Sequence, residues 1–314
     1  MRITGTFLDE ISHDIPHQNW GQEEWDRDFR AMRAIGIDTV IIIRCGHKRW
    51  LTYPSEALMR LEGCYRPPVD LVDMFLELAE KHGMRLYFGT YDSGRYWHAG
   101  DHRKELDLNR RVIDEVAGLY GSRRAFAGWY LSQEISRRIS GILEIYAGLA
   151  RHCKEASGGL PVLISPYMDG VKAVSASSAE LARAGGVTVE DHTREWSDIL
   201  SALRGLVDSV AFQDGHVEFH ELPEFLAANR ELARSSGMAS WTNTETFDRD
   251  MPIKFLPIKW EKLLLKLEAA RAAGVEKAIT FEFSHFMSPN SCYPQAHGLY
   301  QRYADHHSIR LDRD

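Results

Sequence analysis

A single (β/α)8 barrel of the TIM type is the fold this sequence predicts, and three observations predict it. Short apolar runs alternate with stretches of helical period about eight times along the 314 residues. Several runs are continuously apolar, as suits parallel strands covered on both faces. Four helical stretches end on the same signal, a glycine (Gly36, Gly83, Gly237, Gly274) followed at once by the next strand.

The strands are expected at residues 3–8, 37–44, 84–91, 126–131, 162–166, 208–213, 238–243 and 277–283, all rich in Ile, Val, Phe, Tyr and Trp. Between them, apolar residues recur at spacings of three and four: Trp25, Phe29, Met32; Val72, Phe75, Leu76, Ala79; Leu222, Phe225, Leu226; Trp260, Leu263, Leu264, Leu267. Right-handed crossovers joining eight parallel strands close naturally into a barrel. A doubly wound open sheet would carry a Gly-rich phosphate loop after its first strand; residues 9–14 read Asp-Glu-Ile-Ser-His-Asp instead. Residues 1–314 are therefore read as one barrel domain, with long βα connections at 45–67, 91–102 and 166–190.

Apolar residues make up 44% of the chain and charged residues 26%, enough for a large core, and the net charge of −7 leaves no basic stripe for a nucleic acid. Cysteines 45, 64, 153 and 292 form no CxxC pair, so neither a zinc centre nor a disulfide framework is expected. No apolar run approaches the roughly 18 residues of a membrane span, and no charged segment precedes an apolar leader, so a cytoplasmic protein without a membrane partner is expected. The sequence is silent on oligomeric state.

In such a barrel the residues just past each strand's C-terminal end line the active site. Those positions hold Asp9 and Glu10, Arg44 and His47, Tyr91 and Asp92, Glu134, Tyr167 and Asp169, Gln213 and Asp214, Glu245, then Glu282 and His285. Trp50, Tyr96, Trp97, Trp129 and Trp241 lie nearby, and Asn243 stands two residues before Glu245. Carboxylates, amides, Arg and His recognise sugar hydroxyls, while Trp and Tyr cover the C–H faces of sugar rings. The partner expected is a small carbohydrate, bound by Glu10, Arg44, Tyr91, Asp92, Gln133, Tyr167, Gln213, Asp214, Trp241, Asn243, Glu282 and His285, with no cofactor and no metal. Glu282, between Phe281 and Phe283, must be buried and hence paired, protonated or ligating.

The fourth strand runs through Gly128-Trp-Tyr-Leu-Ser-Gln to Glu134, and the seventh through Trp241-Thr-Asn-Thr to Glu245. Glycosidic cleavage needs two carboxyl groups, one to protonate the leaving oxygen and one to attack C1 or activate water. Strands four and seven lie across the barrel from each other, so these two can face one bond from opposite sides.

Glutamates at the ends of strands four and seven resemble the large clan of retaining barrel glycosidases. That resemblance implies Glu134 as acid/base and Glu245 as nucleophile. The chain also resembles a family of bacterial barrel proteins assigned as candidate glycosyl hydrolases. The similarity is carried by Gly5-Thr-Phe-Leu, Trp25 ahead of Met32, Gly36-Ile-Asp-Thr-Val, Gly128 to Glu134, Phe212-Gln-Asp-Gly215 and Trp241 to Phe247. One position departs from the clan: Gln133 stands where an Asn bonds the sugar 2-hydroxyl, and its longer amide is expected to take that part.

A glycoside hydrolase needing no metal is thus the leading expectation. A divalent-metal sugar isomerase or epimerase using Glu134, Asp169, His216 and Glu282 is the alternative enzyme. A sugar-binding barrel without catalysis is the non-enzymatic alternative.

Overall fold

The computed structural model describes residues 1–12, 15, 18–170, 186–249 and 255–311. Eight parallel strands close into a barrel: β1 (Ile3–Leu8), β2 (Thr39–Ile42), β3 (Arg85–Gly89), β4 (Phe126–Leu131), β5 (Val162–Ile164), β6 (Ser209–Gln213), β7 (Ala239–Glu245) and β8 (Lys277–Phe281). Each strand pairs with its neighbours in sequence, and β1 pairs β8 with Gly5 opposite Ile279 to close the ring. The expected strands all exist, but most are shorter than the apolar runs, because hydrogen-bonded pairing stops before burial does. The strand expected at 277–283 ends at Phe281.

Ten helices lie among the described residues: α1 (Gln22–Ala34), α2 (Glu56–Glu62), α3 (Leu71–His82), α4 (His102–Tyr120), α5 (Ile142–Ser157), α6 (Val189–Ala202), α7 (Leu222–Ser235), α8 (Trp260–Ala272), α9 (Phe283–Phe286) and α10 (Pro294–His306). α3 shows why these segments are helical. The Asp70 carboxylate caps its start by accepting from Asp73 N at 2.9 Å, and Val72, Phe75, Leu76 and Ala79 bury one face. Gly83 ends it at φ +63° while donating to the carbonyls of Ala79 and Glu80. All four glycines of the helix–Gly–strand signal have positive φ.

Side-chain alternation divides the core in two. Val40, Ile42, Trp129 and Leu131 face outward to the helices, where Trp129 packs on Phe88 and Phe126. Phe7, Ile41, Ile43, Tyr87, Tyr130, Leu163, Ala211 and Ile279 fill the barrel interior. A plugged interior leaves the C-terminal mouth as the place for a site. Two short segments after β2 build over it: 46–47 pairs with 50–51 antiparallel and with 91–92, beyond β3, in parallel. No helix among the described residues is long and apolar enough to cross a membrane.

Candidate active site

Glu134 lies three residues past the end of β4, in register with the inward-facing Gly128, Tyr130 and Ser132. Its two oxygens are held by different hydroxyls: Tyr130 donates to Oε1 at 2.5 Å and Tyr167 to Oε2 at 2.9 Å. Arg44 Nη2 stands 3.9 Å from Oε2. Burial pushes the carboxyl above its ordinary pKa, and it outweighs the opposing pull of Arg44 and the two tyrosines.

Glu245 ends β7 and is buried, with the opposite electrostatics. Burial alone would raise its pKa. Arg249, a turn further on, donates Nε to Oε2 at 2.9 Å and Nη2 to Oε1 at 2.7 Å, and with Lys266 and His216 holds the group below the ordinary value. The Arg249 guanidinium also lies over the Phe247 and Phe255 rings, 4.9 and 5.7 Å from their centroids. Behind Glu245, Asp214 accepts from Glu245 N at 3.0 Å and from Lys266 Nζ at 2.8 Å, which fixes the tip of β7. One carboxyl tends to keep its proton and the other tends to lose it. General acid catalysis beside a carboxylate needs that division.

Two cavities open here. One, of about 160 Å³, is lined by both glutamates with Gln213, His216 and Arg249 on its polar side and Ile43, Phe247, Phe255 and Phe281 on its apolar side. The other, of about 250 Å³, is lined by His47, Asp92, Trp97, His98 and Ser132. Ser12, Arg44, Glu134 and Tyr167 belong to both. Arg44 spans the shared wall, donating Nη1 to Asp92 Oδ2 at 3.3 Å. Trp97 Nε1 and Gly94 N donate to Asp92 Oδ1 at 2.9 and 2.8 Å; burial opposes them, but with His47 and Arg44 they bring its pKa down to about 2.

Of the residues expected to bind sugar, Arg44, Asp92, Tyr167 and Gln213 line these cavities, and Asp214 sits beneath Glu245. The others do not reach them. Gln133 has the opposite strand parity to Glu134 and turns outward, donating Nε2 to Tyr91 O and to Glu105 Oε1, each at 2.9 Å. It is therefore not placed for a 2-hydroxyl. Tyr91, opposite in parity to Asp92, is buried and donates its hydroxyl to Lys48 O at 2.6 Å. Trp241 and Asn243 do face inward on β7 but lie below Glu245. Trp241 packs on Tyr87 near the barrel floor, and Asn243 donates to Ser165 Oγ at 3.1 Å.

Glu282 is not in a strand. It caps α9, accepting from Ser284 N, His285 N and His285 Nδ1 at 2.9, 2.7 and 2.6 Å. Glu10 stands 4.0 Å from His285 Nε2 on the other side of the ring. These three form a buried polar cluster between β1 and β8, outside both cavities. Asp169 and His216 approach to 3.8 Å, but Glu134 and Glu282 do not join them. Among the described residues no three His, Cys, Asp or Glu side chains are grouped to hold a metal.

Sequence reasoning missed Tyr130, Arg249 and Lys266. Tyr130 and Arg249 each stand four residues from their glutamate, and Lys266 interrupts the apolar stripe Leu263, Leu267, Ala270 of α8. Those spacings were visible. The partner each side chain would find was not.

The chain belongs to the family described as a domain of unknown function, DUF4434, whose model matches residues 3–293. Its structure is similar to that of a candidate alpha-L-fucosidase from Bacteroides thetaiotaomicron VPI-5482, with a TM-score of 0.93 and 55% identity over 98% of this chain and 94% of that one. It is also similar to an endo-1,4-beta-D-mannanase from Thermotoga petrophila RKU-1 (TM-score 0.58, 13% identity, 96% of this chain and 99% of that one). An intracellular xylanase from Thermoanaerobacterium saccharolyticum JW/SL-YS485 gives 0.50 at 13% identity over 88% and 84%. At 13% identity the last two show a shared barrel and no more. No curated protein matches the chain. The family resemblance and the barrel expected from the sequence both hold.

Proposed function

We propose that residues 1–314 form one catalytic domain, a glycoside hydrolase acting on a small glycoside or oligosaccharide. The observation that carries this is a single cavity walled by two strand-end carboxyls of opposite proton affinity, Glu134 pushed up by burial and Glu245 held down by Arg249. Glu134 gives its proton to the glycosidic oxygen as the C1–O bond breaks. Glu245 either attacks C1, to be displaced later by water that Glu134 deprotonates, or takes a proton from the water that attacks. Arg44, Tyr130 and Tyr167 orient Glu134 and steady its charge once the proton has left.

The name of the 55% identical relative makes α-L-fucosides the first substrates to try. Fucose is a 6-deoxy sugar, and the wall of Ile43, Phe247, Phe255 and Phe281 suits its methyl group. A panel of 4-nitrophenyl glycosides headed by the α-L-fucoside tests the reading, with Glu134→Gln and Glu245→Gln alongside. Each variant is expected to lose about 10²–10⁴-fold in kcat, the acid variant least on the activated aryl leaving group. Turnover untouched in both would sink the proposal.

A further inference from the structure

We infer that the leaving-group side of the cleft is built for an oligosaccharide of neutral sugars, with Trp50 as its outer platform. This rests on the acid and base roles given above to Glu134 and Glu245.

The two carboxyls give the cleft a direction. Glu134 lines both cavities and Glu245 only the smaller one. The anomeric carbon must face Glu245 and the protonated oxygen must face Glu134. The sugar under attack therefore occupies the 160 Å³ cavity, and the departing group leaves through the 250 Å³ cavity beside Asp92 and Trp97. Asp92 is paired there with Arg44, which offsets its charge, so the cavity offers hydrogen bonds and an indole edge.

The path continues outward along the small sheet. His47 is paired directly with Asp92 on one side and with Trp50 on the other. Directly opposed residues in neighbouring strands project to the same face. Since His47 and Asp92 both line the larger cavity, Trp50 stands on that face, one strand spacing of about 4.8 Å further out. Trp50 is 63% exposed. It is also braced: the Tyr65 ring packs on it at 5.0 Å, and Arg49 covers Tyr65 at 4.3 Å. A lone exposed Trp is ordinary. One held against a second ring, in line with a polar cavity that ends at a proton donor, is a place for a sugar face.

Two measurements test this. With the aryl glycoside that turns over and with tri- and tetrasaccharides ending in the same sugar, Trp50→Ala is expected to lower the ratio of kcat/KM, oligosaccharide over aryl glycoside, by about tenfold, a loss of one stacking contact. Leu119→Ser, an exposed change on the outer helix α4, is the control and should leave the ratio as it is. On an array of neutral oligosaccharides two to five sugars long, the Glu134→Gln protein should bind chains of three or more, and adding Trp50→Ala should remove that signal. An unchanged ratio, an unchanged array pattern or no binding to any chain overturns the inference. An unchanged ratio while both glutamate variants are inactive removes this inference and leaves the hydrolase reading standing. Turnover that survives in the glutamate variants removes the hydrolase reading itself.

Discussion

Gly215 lies so close against Glu245 that a β-carbon there would occupy the space of the Glu245 carboxylate. The backbone at 215 is not in the left-handed region, so room alone demands the glycine. Because Arg249 holds both carboxylate oxygens, the group cannot simply swing aside. Gly215→Ala is expected to cost about 1–3 kcal/mol in stability from overpacking and to displace Glu245. Urea unfolding reads the first. A loss of kcat well beyond what partial unfolding explains reads the second.

Under the proposed hydrolase mechanism, Arg249 is expected to set the acid limb of the pH profile. Burial raises the Glu245 pKa and Arg249 overrides it, so removing the guanidinium lets burial win. Arg249→Met should move the acidic limb of kcat/KM to higher pH. A limb that stays where it was would mean that Glu245 is not the group that must be ionised.

The same mechanism predicts that Tyr167 acts on the other limb. Its hydroxyl stabilises ionised Glu134, so Tyr167→Phe raises the Glu134 pKa further and shifts the basic limb upward. The optimum broadens toward alkaline pH while kcat falls through lost orientation. A basic limb moving down, or not at all, contradicts Glu134 as the acid.

Lys266 and Asp214 form a buried ion pair at 2.8 Å, and removing one partner strands the other charge. Lys266→Met should destabilise the protein by about 3–5 kcal/mol, the usual range for such a broken pair. Asp214→Asn in the same chain should recover part of that. Chemical denaturation of the single and double variants gives the coupling.

The cluster of Glu10, Glu282 and His285 links stability to pH. Burial opposes the His285 charge, but Glu282 and Glu10 outweigh it and raise its pKa to about 9 from an ordinary 6.5. A raised histidine contributes fully below its unfolded pKa and loses that contribution as pH climbs through its folded one. Burial raises Glu10 to about 7, so the folded state also holds that proton longer and loses stability as it leaves. The free energy of unfolding should therefore fall from about pH 4.5 to 7 through Glu10 and from about pH 6.5 to 9 through His285, by on the order of 3 kcal/mol from His285 alone. His285→Gln should flatten that slope.

Much of this is legible in the amino-acid sequence alone. Local periodicity and glycine punctuation report local physics, and the barrel follows from eight repeats of them. Strand-end position likewise put Glu134, Glu245, Arg44, Asp92 and Tyr167 at the mouth, because the closed barrel brings every C-terminal strand end there. Two of the expected residues miss the cavities by a single residue of register. Gln133 and Tyr91 are neighbours of cavity residues, yet a strand alternates its side chains, so each points into the wall. Trp241 and Asn243 have the correct parity and the wrong depth.

The chain order of residues was enough for the closed barrel and for the pair of glutamates at its rim, since both depend on patterns within a few residues. Only the folded molecule decided how those glutamates differ. Arg249 holds one down, while burial outweighs Arg44 and two tyrosine hydroxyls to push the other up, and Lys266 enters from a helix behind. Such pairings join groups brought near by closure of the sheet. Their strength depends on how much water that closure excludes, which no spacing along a chain records.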